Sequence, residues 1–295
     1  MSIDYSLDGS RAPLELTDGV AAFDPTTLTI AAEILDTRGF TIAGDRLLDS
    51  ETSPALKRLA KVSATPPGTV PVSVTAIIDT GVLRWSSETY ASVDEIDAYD
   101  GTTKYGVSIS RKPVLTLKDA VVTRASMTSE KLHESKVKVW FAELKGELGN
   151  TIDGFDLLSR AKNYSAQFQT STDLQAMVVT VPAQELRYAS SIPQALTCYS
   201  APVFGILQRF AAALNEKGAH VIAETTIITS GIPTFEIREP PPPPYVFGCH
   251  GPVMMWFTEE GYDLPFSVFY TTPEAWPDLD DDVDLDSVTL MPVPV

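Results

Sequence analysis

Few residues in this chain are placed to do chemistry, and the thiols and imidazoles come first. Cys198 precedes Pro202 and the apolar series Val203, Phe204, Leu207, Phe210, Ala211 and Leu214. That spacing predicts a helix over 203–217, stopped at Gly218. A thiol near a helix N-terminus ionises more easily and becomes a better nucleophile. Its base would be His133, His220 or His250. The same cysteine also reads as a small buried side chain. Cys249 and His250 are adjacent, but no second close pair completes a zinc tetrahedron. Six aspartates, at 278, 280, 281, 282, 284 and 286, would attract calcium loosely, without the glycine and closing glutamate of a calcium-binding loop. No Gly-x-Ser-x-Gly elbow, phosphate loop or dinucleotide fingerprint occurs. No cofactor is expected.

Two short motifs carry resemblances. Ile77-Ile78-Asp79-Thr80-Gly81 resembles the apolar-apolar-Asp-Thr-Gly signature of aspartic proteases. The resemblance implies that Asp79 shares a proton with a second aspartate and that Gly81 lets the loop approach its partner. It covers five residues. The chain has no second Asp-Thr/Ser-Gly, and Val82 stands where the dimeric members carry Ala or Ser. Read without it, the segment is a strand ending in a turn, which Asp and Gly both favour. Pro242-Pro243-Pro244-Tyr245 fits Pro-Pro-x-Tyr and resembles the ligands of WW domains. Five prolines, 240–244, favour a polyproline II rod that such a groove grips; the alternative is a stiff connector with Tyr245 packed as a hinge.

The elements that would position these residues are mostly strands. Val72–Ile78, Val107–Ser110, Val114–Val122, Lys136–Phe141, Met177–Val181, Val221–Thr229 and Thr234–Arg238 read as strands from alternation and β-branched content. Asp24-Pro25 and Ser53-Pro54 are helix starts, with a capping side chain followed by proline at the first helical position. Leu28, Ala31, Ala32 and Leu35 continue the first helix and Gly39 stops it. Ser92 and Glu95 fit a capping box for a short helix reaching Tyr99. No βα alternation and no internal repeat appears. The fold class expected is α+β and β-rich: mostly antiparallel sheets, a few packed helices and an extended Pro-rich acidic C-terminal arm.

Charge sharpens that division. The 295 residues carry a net −17, yet no Lys or Arg follows Arg238. Residues 239–295 hold 11 acids and 11 of the 22 prolines. Two domains are therefore expected, an α+β core over 1–238 and an acidic arm or small subdomain over 239–295. A field of this sign repels phosphate backbones, which excludes broad nucleic-acid binding. No 18-residue apolar run predicts a membrane span. The N-terminal residues lack a signal-peptide apolar core, and two cysteines without a framework fit a reducing, cytoplasmic setting.

The arm also holds aromatic clusters that need burial. Together these features point to a structural or assembly protein, a subunit of a large particle such as a viral capsid or outer shell. It would dock its arm on self or other subunits through Trp256, Phe257, Phe266, Phe269, Tyr270 and Trp276. The alternatives are a hydrolase built around Asp79 and a soluble adaptor binding WW-type domains through Pro242–Tyr245.

Overall fold

Asp24 and Ser53 do what their positions dictate. In the computed structural model, which describes residues 11–40, 42–43, 52–66, 72–132, 136–192, 194–198, 205–227 and 244–292, each caps a helix that begins with proline. Helix α1 (Pro25–Thr37) starts with the Asp24 carboxylate accepting from Thr26 and Thr27 N–H, and it ends before Gly39, whose φ of 85° takes the left-handed turn that favours glycine. Helix α2 (Pro54–Leu59) is capped by Ser53. Helix α3 (Gly154–Thr170) is capped by Asp153 and falls in a stretch with no expected element. Its Leu157, Leu158, Ala161, Tyr164 and Phe168 recur at helical spacing and are buried. None of the described helices is long and apolar enough to cross a membrane.

Strands make the rest, and the fold is β-rich α+β with antiparallel sheets. The strands are β1 (Pro13–Glu15), β2 (Val20–Phe23), β3 (Ile42–Ala43), β4 (Lys61–Ala64), β5 (Val74–Trp85), β6 (Ala91–Asp97), β7 (Thr103–Thr116), β8 (Ala120–Ser129) and β9 (Lys136–Leu144). They continue with β10 (Thr151–Asp153), β11 (Gln175–Pro182), β12 (Gln184–Ser191), β13 (Thr197–Cys198), β14 (Leu207–Asn215), β15 (Gly218–Ile227), β16 (Tyr245–Val246), β17 (Val253–Glu259) and β18 (Ser267–Thr271). One large sheet runs β12-β14-β15-β5-β8-β9-β17-β18-β2. It branches at β7, which pairs with β8, β6 and β11, and the short β16 adds to β11 in parallel. Helix α1 packs on β5 and β15, and α3 on β2 and β18.

Two predicted helices are strands. Ser92 and Glu95 lie in β6, paired with β7 along its whole length. The region expected to be a helix over 203–217 contains β14, paired on both sides, with β12 and β15. Ala211, Ala212 and Ala213 are good helix formers, but both backbone edges of this segment are already taken by neighbouring strands, and tertiary pairing overrides propensity. The β14–β15 hairpin closes on Asn215, whose side chain accepts from Lys217 and Gly218 N–H. A Cβ on Gly218 would sit 2.0 Å from the Leu83 carbonyl oxygen, so only glycine lets β5 come that close. Val114–Val122 is two strands, the end of β7 and the start of β8, with a tight turn between. Thr234–Arg238 lies outside the described residues.

The boundary near Pro240 does not separate an arm from a core. β17 lies between β9 and β18 in the main sheet, and β18 pairs with β2 from the chain's start. Trp256 stands directly across from Trp140, and their rings stack at 5.9 Å with 3° between planes. Phe168 of α3 meets Trp140 edge-on at 5.4 Å. The Trp140 indole donates to Thr258 Oγ1 and the Trp256 indole to Ser165 Oγ, both at 2.9 Å, so neither buried N–H is left unpaired. Trp256, Phe257, Phe266, Phe269, Tyr270 and Trp276 are all buried within this chain. This corrects their expected role as anchors for other subunits, because aromatic faces already packed in cis are not available in trans.

Candidate functional site

Asp79 is the sequence-predicted residue around which the structure gathers other charges. β5 does not end at Asp79-Thr80-Gly81. It continues through a bulge, where Thr80 and Gly81 together oppose Val221 of β15. Gly81 has φ 60°, the left-handed conformation such a bulge needs. Thr80 Oγ1 fastens the bulge, donating to the Val221 carbonyl at 3.1 Å and accepting from Val221 N–H at 3.2 Å. A Cβ on Gly81 would lie 3.0 Å from Lys131 Cε, so the missing side chain also clears the path for the lysine.

Three donors converge on the Asp79 carboxylate. Gly81 N–H and His220 Nε2 reach Oδ1 at 2.9 Å each, and Lys131 Nζ pairs with Oδ2. Lys131 is set by Ser129, whose hydroxyl accepts from Lys131 N–H and donates to the Thr80 carbonyl. Partial burial pushes the Asp79 carboxyl up, but Lys131, His220 and Gly81 together outweigh it and bring the value down to about 2. The other ring nitrogen, His220 Nδ1, is 2.7 Å from the Leu285 carbonyl oxygen. Asp79 is thus a fixed anion and His220 is engaged on both sides. The arrangement holds charge and main chain in place. Among the described residues no second aspartate stands there to share a proton, so the protease-like reading of Asp79 fails on geometry.

The Leu285 carbonyl belongs to the acidic C-terminal segment, which lies against the sheet. Tyr105 N–H donates to the Pro277 carbonyl at 3.0 Å, Lys104 pairs with Asp278 at 2.7 Å, Asn215 Nδ2 donates to the Val283 carbonyl at 2.7 Å and Arg209 Nη1 to the Met291 carbonyl at 2.5 Å. Val283 and Leu285 are buried while Asp280, Asp281, Asp282, Asp284 and Asp286 face solvent. Alternation therefore docks the segment on its apolar residues and turns the acids outward.

A second polar cluster surrounds Glu143 of β9, which is 2% exposed. Its carboxylate accepts from Gly248 N–H at 2.8 Å, His250 N–H at 2.9 Å and the Tyr245 hydroxyl. Those bonds pin the turn that carries Cys249 and His250. Burial first, then Glu143 and Asp97, raise the Cys249 thiol, which keeps it protonated and is the reverse of activation. The predicted partner His250 approaches Glu143 at 3.5 Å and the Tyr245 ring at 6.1 Å between centroids, and its side chain is 73% exposed. Cys198 sits in β13 opposite Ile42 of β3, not at a helix start. His133, Pro242 and Pro243 lie outside the described residues. Pro244 is exposed, but Tyr245 is half-buried, pairs in β16 with Val179 and bonds Glu143. A tyrosine held this way is not offered to a WW groove, which overturns the adaptor reading. Among the described residues no group of three or more His, Cys, Asp or Glu gathers as a metal site.

The open feature of the surface is β6. Ser110 N–H donates to the Tyr90 carbonyl and Ala98 N–H to the Thr102 carbonyl, so the even-numbered residues face β7. Ala91, Val93, Glu95 and Asp97 then turn their main-chain groups outward, and β6 pairs with no other strand among the described residues. Glu95 N–H is met by the Asp94 carboxylate at 3.0 Å. Tyr90 and Val93, at 72% and 56%, are the most exposed large apolar side chains among the described residues.

Lys131, Glu143 and the Leu285 carbonyl are the functional groups that the sequence did not expose. Lys131 is 52 residues and His220 141 residues from Asp79, so no local spacing could have linked them.

The chain matches no known family profile and no curated protein. Among solved structures it is similar to serpins. A cleaved serpin 42Da superposes with TM-score 0.44 and 11% identity, covering 80% of this chain and 62% of that one. A cleaved, loop-inserted ovalbumin mutant gives 0.40 and 10% over 68% and 54%, and the thermophilic serpin tengpin in its latent state 0.36 and 11% over 70% and 59%. The match thus spans less than two thirds of each of these serpins, and at these scores it assigns no activity to this chain. The aromatic clusters expected to anchor other subunits are filled in cis, which overturns the expectation of a virion, capsid or assembly subunit.

Proposed function

We propose that the protein is a binding protein that takes an extended, positively charged segment of a partner polypeptide as an added strand along β6. The observation that carries this reading is the row of outward main-chain groups at Ala91, Val93, Glu95 and Asp97, unpaired by any strand among the described residues. Strand addition draws its affinity from such groups and its selectivity from alternate side chains. Asp94, Glu95 and Asp97 stand on this edge and favour Lys or Arg on the incoming strand. Exposed Val93 and Tyr90 supply the apolar contact. The net charge of −17 speeds encounter with a basic partner and repels nucleic acid.

The test is fluorescence anisotropy with a labelled seven-residue peptide of alternating Lys and Val. It should bind at low salt and weaken as salt rises. Val93→Pro removes one outward N–H and leaves the β7 ladder intact, and it should weaken binding by roughly tenfold, the scale of one or two lost hydrogen bonds. Equal binding by the wild type and this variant, both with unchanged circular dichroism, sinks the proposal.

A further inference from the structure

His220 sits between two groups that can only accept hydrogen bonds: the Asp79 carboxylate at Nε2, 2.9 Å away, and the Leu285 carbonyl at Nδ1, 2.7 Å away. A neutral imidazole carries one N–H and one lone pair. It can satisfy either neighbour but points a lone pair at the other. Only the imidazolium donates to both. We propose that protonated His220 is the clasp of a pH-sensitive strap, holding the acidic segment 277–292 against β15 and releasing it when the ring loses its proton.

The charged groups around the ring set the direction. Asp79 lies on β5 and Lys131, after β8, pairs with its other oxygen. Asp284 and Asp286 flank Leu285 in the strap. β14 and β5 place the neutral Ala213 and Val82 directly across from His220. Deprotonation leaves this ring of acids with Lys131 as its positive member and sets a nitrogen lone pair against an oxygen. The rest of the strap is held by the Asn215 amide, Tyr105 N–H, Lys104 and Arg209, none of which is an imidazole. Release therefore frays the strap from the 283–286 stretch. It uncovers the seats of Val283 and Leu285, now 2% and 6% exposed. The clasp is on β15, between β14 and β5 in the main sheet, and is independent of the β6 edge.

Hydrogen-exchange mass spectrometry of the intact protein at pH 5.5 and 8.5, corrected for intrinsic exchange, reads the strap directly. Protection of peptides within 277–292 should fall by roughly tenfold or more at the higher pH, the scale of one charged hydrogen bond, while β9 and β17 stay protected at both. Asp79→Asn gives the decisive comparison. Its amide donates to Nε2, so a neutral ring still donates from Nδ1 to Leu285. Protection in this variant should be equal at the two pH values. Unchanged wild-type protection across the pH step overturns the proposal, even if the variant fails to fold. So does an equal pH-dependent loss in wild type and Asp79→Asn.

Discussion

Asp24 and Asp79 are the same chemical group in two regions of one sheet, and the fold drives them in opposite directions. Asp24 caps α1 in full burial, where its neighbours are hydroxyls and N–H groups: Thr26 N–H at 2.7 Å, Thr27 N–H at 3.2 Å and the Thr27 hydroxyl at 2.7 Å. Gln208 of β14 closes the node, donating to the Asp24 carbonyl and the Thr225 hydroxyl, each at 2.7 Å. No cation among the described residues pairs with it, and loss of water raises the Asp24 carboxyl to about 7 despite the hydrogen bonds. Asp79 keeps part of its solvent and gains Lys131 and His220, and it falls to about 2. The lesson is that hydrogen bonds from neutral donors do not offset full desolvation of a carboxylate, whereas a lysine ammonium together with two further hydrogen bonds more than offsets a partial one.

The largest expected effect tests the buried side of this comparison. Because the folded Asp24 keeps its proton to about 7 while the unfolded one loses it near 3.8, stability falls as pH rises between those values and the full cost remains above them. Asp24→Asn keeps the cap and removes the ionisation. Urea melts should show a decline on the order of 3–4 kcal/mol between pH 4 and 8 in the wild type that is absent from the variant. A parallel profile in both proteins would place Asp24's ionisation elsewhere. At pH 5, where Asp24 is protonated when folded, Asp24→Ala should cost about 2 kcal/mol, because two backbone N–H groups and a buried hydroxyl lose their acceptor.

The exposed side gives smaller numbers. The depressed Asp79 stabilises the fold above 3.8, and that contribution is lost as pH falls toward about 2. With its side chain 28% exposed and Lys131 at 45%, solvent screens the pair, and Asp79→Asn should cost about 1 kcal/mol at neutral pH. Lys131→Met should cost less, about 0.5 kcal/mol, and only at low salt. Thermal melts at low and high ionic strength measure both. A salt-independent loss of several kcal/mol in either variant would show that the Asp79 cluster behaves as a buried one.

The two carboxylates also differ in how much of their setting could be read in advance. Asp24-Pro25 announces a capped helix through neighbours one to three residues away, and the structure has that cap. The burial that makes Asp24 unusual comes from Gln208 and Thr225, which are distant in sequence and lie on strands. For Asp79 the motif pointed to a turn and to a protease-like carboxylate. The glycine's left-handed conformation is real, but it serves a bulge, and Lys131 and His220 come from segments with no motif of their own. Phe210, Ala211 and Leu214 kept helical spacing inside a strand because β14 is buried on both faces, where periodicity no longer separates inside from outside.

By itself the sequence determined what depends on near neighbours. It settled where α1 and α2 begin, that Val137, Val139 and Phe141 share a buried face, and that the aromatic residues after 253 must be covered. Only the tertiary structure decided what covers them. β17 and β18 enter the same sheet as β9 and β2, so two strands of a segment whose composition marks it as an arm are interior. It also decided that β6 pairs only with β7 among the described residues and that His220 faces two acceptors. Caps and alternation are short-range preferences written residue by residue. Strand order and the charges around Asp24 and Asp79 arise from contacts between residues about fifty to two hundred positions apart, and no local pattern encodes those.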